Sequence, residues 1–88
     1  MIKVKDTKRL KAFGFDEVKD GYKKEHDNGH YKLRILVSPE GYLTCMNVGY
    51  EITPNWKWID PWFADELFDL QAAGLLERVE DNGKEGKA

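Results

Sequence analysis

The chain has 88 residues, a formal net charge of −2 and a hydrophobic fraction of 41%. This length allows one domain with a thin core, because a chain of this size buries only about 60% of its unfolded surface. Its one cysteine, Cys45, excludes an internal disulfide, and no apolar run resembles a signal peptide or a membrane span. We therefore expect a cytoplasmic domain over residues 1–80 and a disordered tail over residues 81–88.

The first predicted element is a short helix that begins after Asp6 and ends at Gly14. Aspartate is a favourable N-cap, and glycine tolerates the left-handed conformation that commonly ends helices. A helix this short is unstable alone and must pack through Leu10 and Phe13 on the remainder of the domain. A strand over residues 15–19 follows.

Two turns then predict an antiparallel meander. Asn28-Gly29 is a strong hairpin signal because both residues tolerate positive φ, and it joins predicted strands over residues 22–27 and 30–37. A four-residue loop over residues 38–41 leads to one long strand over residues 42–52.

The register of these hairpins assigns each strand residue to a face of the sheet. It places Glu25 opposite Lys32 and Ile35 opposite Thr44, and side chains alternate along each strand. The predicted core face carries Tyr22, Tyr31, Leu33, Ile35, Val37, Tyr42, Thr44, Met46, Val48, Tyr50 and Ile52. The outer face carries Lys23, Glu25, Lys32, Arg34 and Asn47, with an apolar corner of Leu36, Leu43 and Cys45.

A longer helix begins at Asp60-Pro61, since aspartate caps a helix and proline fits its first position. Spacings of four and three residues, typical of a core-facing stripe, relate Phe63, Leu67 and Leu70. A short strand over residues 75–80 follows. The predicted fold is therefore α+β: a three- or four-stranded antiparallel meander packed by one C-terminal helix, with a short N-terminal helix and a short final strand.

Catalytic motifs are absent from the sequence: there is no phosphate loop, dinucleotide fingerprint or nucleophile elbow. His26 and His30 flank a turn with opposite strand parity, so they should not converge on a metal ion. Cys45 lies in mid-strand away from both histidines, and we interpret it as a small hydrophobic residue. We expect a non-enzymatic protein without cofactor or metal.

The most informative feature is a group of three tryptophans within seven residues. Trp62 falls at the helical angle of Asp65 and Asp69, where the sheet should not reach. Aromatic residues among charges are typical of binding hot spots. The sequence therefore predicts a partner-binding surface of Trp56, Trp58, Trp62, Asp65 and Asp69, and the alternative is a local lid over the start of the helix.

A second candidate surface is basic. Residues 1–34 contain ten Lys and Arg against six Asp and Glu, and residues 35–88 contain four against ten. Lys23, Lys32 and Arg34 share the predicted outer face, where they could contact nucleic-acid phosphates. That face lacks stacking aromatics, which nucleic-acid domains usually add. Nucleic-acid binding is therefore the alternative function, and a solvated sheet face is the simpler interpretation.

Two segments carry a resemblance to a known group of proteins. LKAFGF at residues 10–15 gives a helix, Gly-Phe and a strand, and LFDLQAAGLLE at residues 67–77 gives a helix, Ala-Gly-Leu and a charged strand. In this layout the chain resembles small uncharacterised accessory proteins of phages and prophages of Gram-positive bacteria. That group has no shared activity, so the resemblance implies no site residues. It implies binding or inhibition of a host or phage protein, for example a defence nuclease.

Overall fold

The computed structural model describes residues 1–27, 29–48, 50–52 and 60–79, and for residues 50–52 the backbone only. A small sheet contains β1 (Ile2–Val4) and β7 (Leu76–Arg78). The larger, antiparallel sheet contains, in spatial order, β2 (Asp16–Val18), β3 (Gly21–Asp27), β4 (Lys32–Val37), β5 (Leu43–Asn47) and β6 (Tyr50–Ile52). A 3₁₀ helix spans Thr7–Phe13, and α1 spans Pro61–Ala72. The predicted α+β fold with an antiparallel meander is confirmed.

Both helices begin where local signals place them, and the first also ends at its predicted glycine. The Asp6 carboxylate accepts a hydrogen bond from the Lys8 N–H at 3.2 Å, and Gly14 adopts a φ of 87° at the other end. The first helix is 3₁₀ in type, a form that proteins use in short pieces. In α1, an Asp60 carboxylate oxygen accepts the Trp62 N–H at 2.9 Å. Among the described residues, no helical segment combines the length and the apolar character needed to cross a membrane.

The β3–β4 register differs from the predicted one by two residues. Glu25 lies opposite Arg34, not Lys32, and Asp27 lies opposite Lys32, where β4 begins. The predicted register would have set Lys23 against Arg34, whereas the observed one sets a carboxylate against the arginine, which is the favourable cross-strand arrangement. Because a shift of two preserves side-chain parity, each residue keeps its predicted face.

The β4–β5 register differs by one residue. Ile35 lies opposite Cys45 instead of Thr44. The Ser38 N–H donates to the Tyr42 carbonyl at 2.9 Å, so only three residues separate this pair and the loop is one residue shorter than predicted. A shift of one moves every side chain of β5 to the other face of the sheet.

This shift divides the predicted apolar corner. Leu43 and Cys45 are buried in the core, and Leu36 remains on the outer face. The assignment of Tyr42, Thr44 and Met46 to the core is wrong, because Thr44 and Met46 pair with Leu36 and Arg34 on the outer face and Tyr42 has the same parity. Tyr31 and Val48, also predicted as core, are exposed.

The strand predicted over residues 42–52 is two strands. β5 ends at Asn47, and β6 returns antiparallel to it with Tyr50 opposite Asn47. The meander therefore has five strands, where three or four were expected. The final strand is present as β7, and its partner β1, which the sequence analysis did not identify, places Val4 opposite Leu76.

One hydrophobic core joins α1, the 3₁₀ helix and the inner face of the larger sheet. The buried stripe of α1 is confirmed, and the core consists of Val4, Leu10, Phe15, Leu33, Ile35, Val37, Leu43, Cys45, Phe63, Leu67, Leu70 and Leu75. The Met1 amino group donates to the Val79 carbonyl at 3.2 Å, and the Val79 N–H donates to the Met1 carbonyl at 2.8 Å. The expected tail over residues 81–88 lies outside the described residues.

Candidate functional site

Trp62 lies in the first turn of α1 and is half-buried. Its indole stacks on the imidazole of His26, with ring centroids 5.3 Å apart and an interplanar angle of 16°. The indole also packs against the core and is tilted by 55° against Phe63. The expectation that the sheet does not reach this side of the helix is wrong, because His26 lies on the inner face of β3 opposite Leu33.

A second contact between β3 and α1 lies beside this stack. Lys24 precedes His26 by two residues, and Glu66 follows Trp62 by one helical turn, so each shares the face of its neighbour. Lys24 and Glu66 form an ion pair whose side chains are only 24% and 16% exposed. The Lys24 ammonium also donates to the Phe13 carbonyl at 2.7 Å. Together the two contacts fix the rotation of α1, and hence the residues that it presents to solvent.

The start of α1 is also tied to the β3–β4 hairpin. The Tyr31 hydroxyl donates to one carboxylate oxygen of Asp60 at 2.5 Å. The other oxygen of that carboxylate caps the helix through the Trp62 N–H. One side chain therefore holds both the hairpin and the first turn of the helix.

The solvent side of α1 presents an aromatic ring beside two carboxylates. Asp65, Phe68 and Asp69 are exposed, Phe68 by 61%, and we call these three residues the outer helix face. Asp65 stands three residues before Phe68 and four before Asp69, so it neighbours both of them on the helix surface. The sequence contains no Lys or Arg from Asp60 to Leu76, so α1 itself adds no positive charge to this face.

Phe68 is a surface residue that the predicted binding surface does not include. A signal was present: Phe68 directly follows the core residue Leu67, and successive helical residues are rotated by about 100°. It therefore cannot belong to the core stripe. Trp56 and Trp58, the other two tryptophans of the predicted surface, lie outside the described residues, so their assignment to a binding surface or a lid stays a prediction.

The basic residues of the alternative site share the outer face of the sheet, but each lies directly opposite a carboxylate. The pairs are Lys23 with Asp16, Lys32 with Asp27 and Arg34 with Glu25. Arg34 also donates to the Glu25 carboxylate at 2.5 Å. This hydrogen bond, with the charges of Arg34, Lys23 and Lys32, holds the pKa of Glu25 below its ordinary value. Three cations and three carboxylates give this part of the face no net charge.

Two other features bear on catalysis. Cys45 is fully buried, and burial raises the pKa of its thiol to about 12, so the thiol stays protonated near neutral pH. Within the part of the chain that the structure describes, no three His, Cys, Asp or Glu side chains come together as metal ligands.

An open groove of about 460 Å³ lies on the outer face of the sheet. Its walls include Val18, Leu36 and Tyr42, with Lys19 and Asp20 at the turn between β2 and β3. The groove is mainly apolar, and its opposite charges at Lys19 and Asp20 select neither an anion nor a cation.

Comparisons of this chain with protein-family models, with curated proteins and with solved structures find no match.

Proposed function

We propose that this protein is a non-enzymatic module that binds a partner protein through the outer helix face. The observation that supports this proposal is the exposed ring of Phe68 on the same side of α1 as the exposed Asp65 and Asp69. An aromatic side chain that can enter an apolar recess, surrounded by charges, has the composition of an interface hot spot. The complementary partner surface has an apolar recess with Lys or Arg around it.

The contacts that hold α1 against the sheet make the outer helix face a preorganised surface. The Trp62–His26 stack and the Lys24–Glu66 ion pair hold α1 against β3, so Phe68 is presented from a fixed helix. A preorganised surface loses less conformational entropy when a partner binds. In this proposal Trp62 contributes its exposed part to the edge of the interface and supports the helix with the remainder.

The charge distribution favours a protein partner over nucleic acid. Carboxylates on the outer helix face would repel phosphates. On the sheet, the alternative site of Lys23, Lys32 and Arg34 is offset by an equal number of carboxylates, which lowers its attraction for a polyanion. Nucleic-acid binding through that face remains the alternative.

The resemblance to phage and prophage accessory proteins suggests a class of partner for this surface. Small accessory proteins of this kind often act by binding a host or phage protein, and inhibitors of host defence nucleases are one class of them. A nuclease presents a basic surface to its substrate, and an acidic surface with a protruding aromatic ring complements such a surface. The acidic residues here are few, so the ring must supply much of the affinity.

Affinity capture from a host lysate with the tagged full-length chain tests the proposal. The comparison is between wild type, Phe68→Ser, and Val48→Ser as a matched control, because Val48 is also an exposed apolar residue but lies on the β5–β6 turn. We expect a partner that wild type and Val48→Ser retain and that Phe68→Ser loses. Loss of an aromatic anchor costs about 2 kcal/mol or more of affinity, roughly a thirtyfold change.

A second pair of variants tests the charges. Asp65→Lys with Asp69→Lys should abolish capture, whereas Lys23→Glu with Lys32→Glu should leave it unchanged. Equal capture by all variants would contradict the proposal. Salt-dependent retention of the wild type on DNA, lost in the Lys23 and Lys32 variant, would favour the nucleic-acid alternative.

A further inference from the structure

We draw no further inference here: the strongest candidate, the apolar groove of about 460 Å³ on the outer face of the sheet beside Val18, Leu36 and Tyr42, carries nothing because nothing in the structure shows what covers it.

Discussion

The indole of Trp62 lies nearly parallel to the imidazole of His26, with ring centroids 5.3 Å apart. This stack joins the first turn of α1 to the inner face of β3, at the end of the core where both rings remain partly exposed. A residue that the sequence placed on a binding surface is therefore also part of the structural contact between helix and sheet.

Replacing Trp62 by alanine should consequently lower the stability of the domain. Truncation of a half-buried aromatic side chain costs less stability than truncation of a fully buried one. We expect a loss of about 2 kcal/mol in the free energy of unfolding, measured by urea denaturation. A double-mutant cycle with His26→Ala isolates the stack, and an aromatic pair of this kind should give a coupling of about 0.5–1.5 kcal/mol. Strictly additive effects of the two substitutions would show that the rings do not stabilise each other.

Leu67→Ala should destabilise the domain more strongly, because Leu67 is fully buried in the core stripe of α1. Truncation of a buried leucine costs about 2–5 kcal/mol, a large share of the stability of a small domain. Thermal unfolding followed by circular dichroism measures the effect. Gln71→Ala, an exposed change on the same helix, should stay within about 0.5 kcal/mol of wild type. Similar melting of both variants would mean that α1 does not pack on the sheet through this stripe.

The Glu25–Arg34 pair should be visible in the pH dependence of stability. The pKa of Glu25 is lowered in the folded state, chiefly by its hydrogen bond with Arg34. A lowered pKa stabilises the fold above the unfolded-state pKa, and this contribution is lost as the pH falls through the folded-state pKa. NMR titration of the side-chain carboxyl carbon should show Glu25 titrating below an ordinary glutamate, and Arg34→Gln should move it upward. An unchanged titration in that variant would contradict the observed β3–β4 register.

Cys45 should be protected from thiol reagents in the folded protein. Its side chain is fully buried and its pKa is raised to about 12. A reagent therefore cannot reach the sulfur, and the thiol stays protonated near neutral pH. Reaction with iodoacetamide, followed by mass spectrometry, should be slow in buffer and fast in denaturing urea. Equal rates in the two conditions would place Cys45 on the outer face, as the predicted register did.

The ends of the helices could be predicted because their signals are local. An aspartate carboxylate caps the N–H groups two residues ahead, and nothing distant in the chain needs to be known. The register of the sheet could not be predicted in this way. It depends on the exact number of residues in each loop, and the hydrogen bond from Ser38 to Tyr42 makes the second loop one residue shorter than its composition indicated.

Part of the candidate site could be predicted because helical spacing, like a helix cap, is a local signal. Asp65 and Asp69 were placed on the solvent side by helical spacing, and both are exposed. The contact of Trp62 with His26 could not be found by spacing, because it depends on how far β3 extends beside the helix. Phe68 could have been found, since its helical angle alone separates it from the core stripe.

The pairing of β1 with β7 sets Met1 beside Val79, so these two residues, 78 positions apart in the chain, lie together on the surface. A domain with this arrangement can be inserted into a loop of another protein through two short linkers, because insertion does not require the fold to open. A circular permutant of residues 1–79, with new ends opened in the loop between β4 and β5, needs only a short linker between residues 79 and 1. Carrier proteins fused before residue 1 and after residue 79 would start from the same side of the molecule.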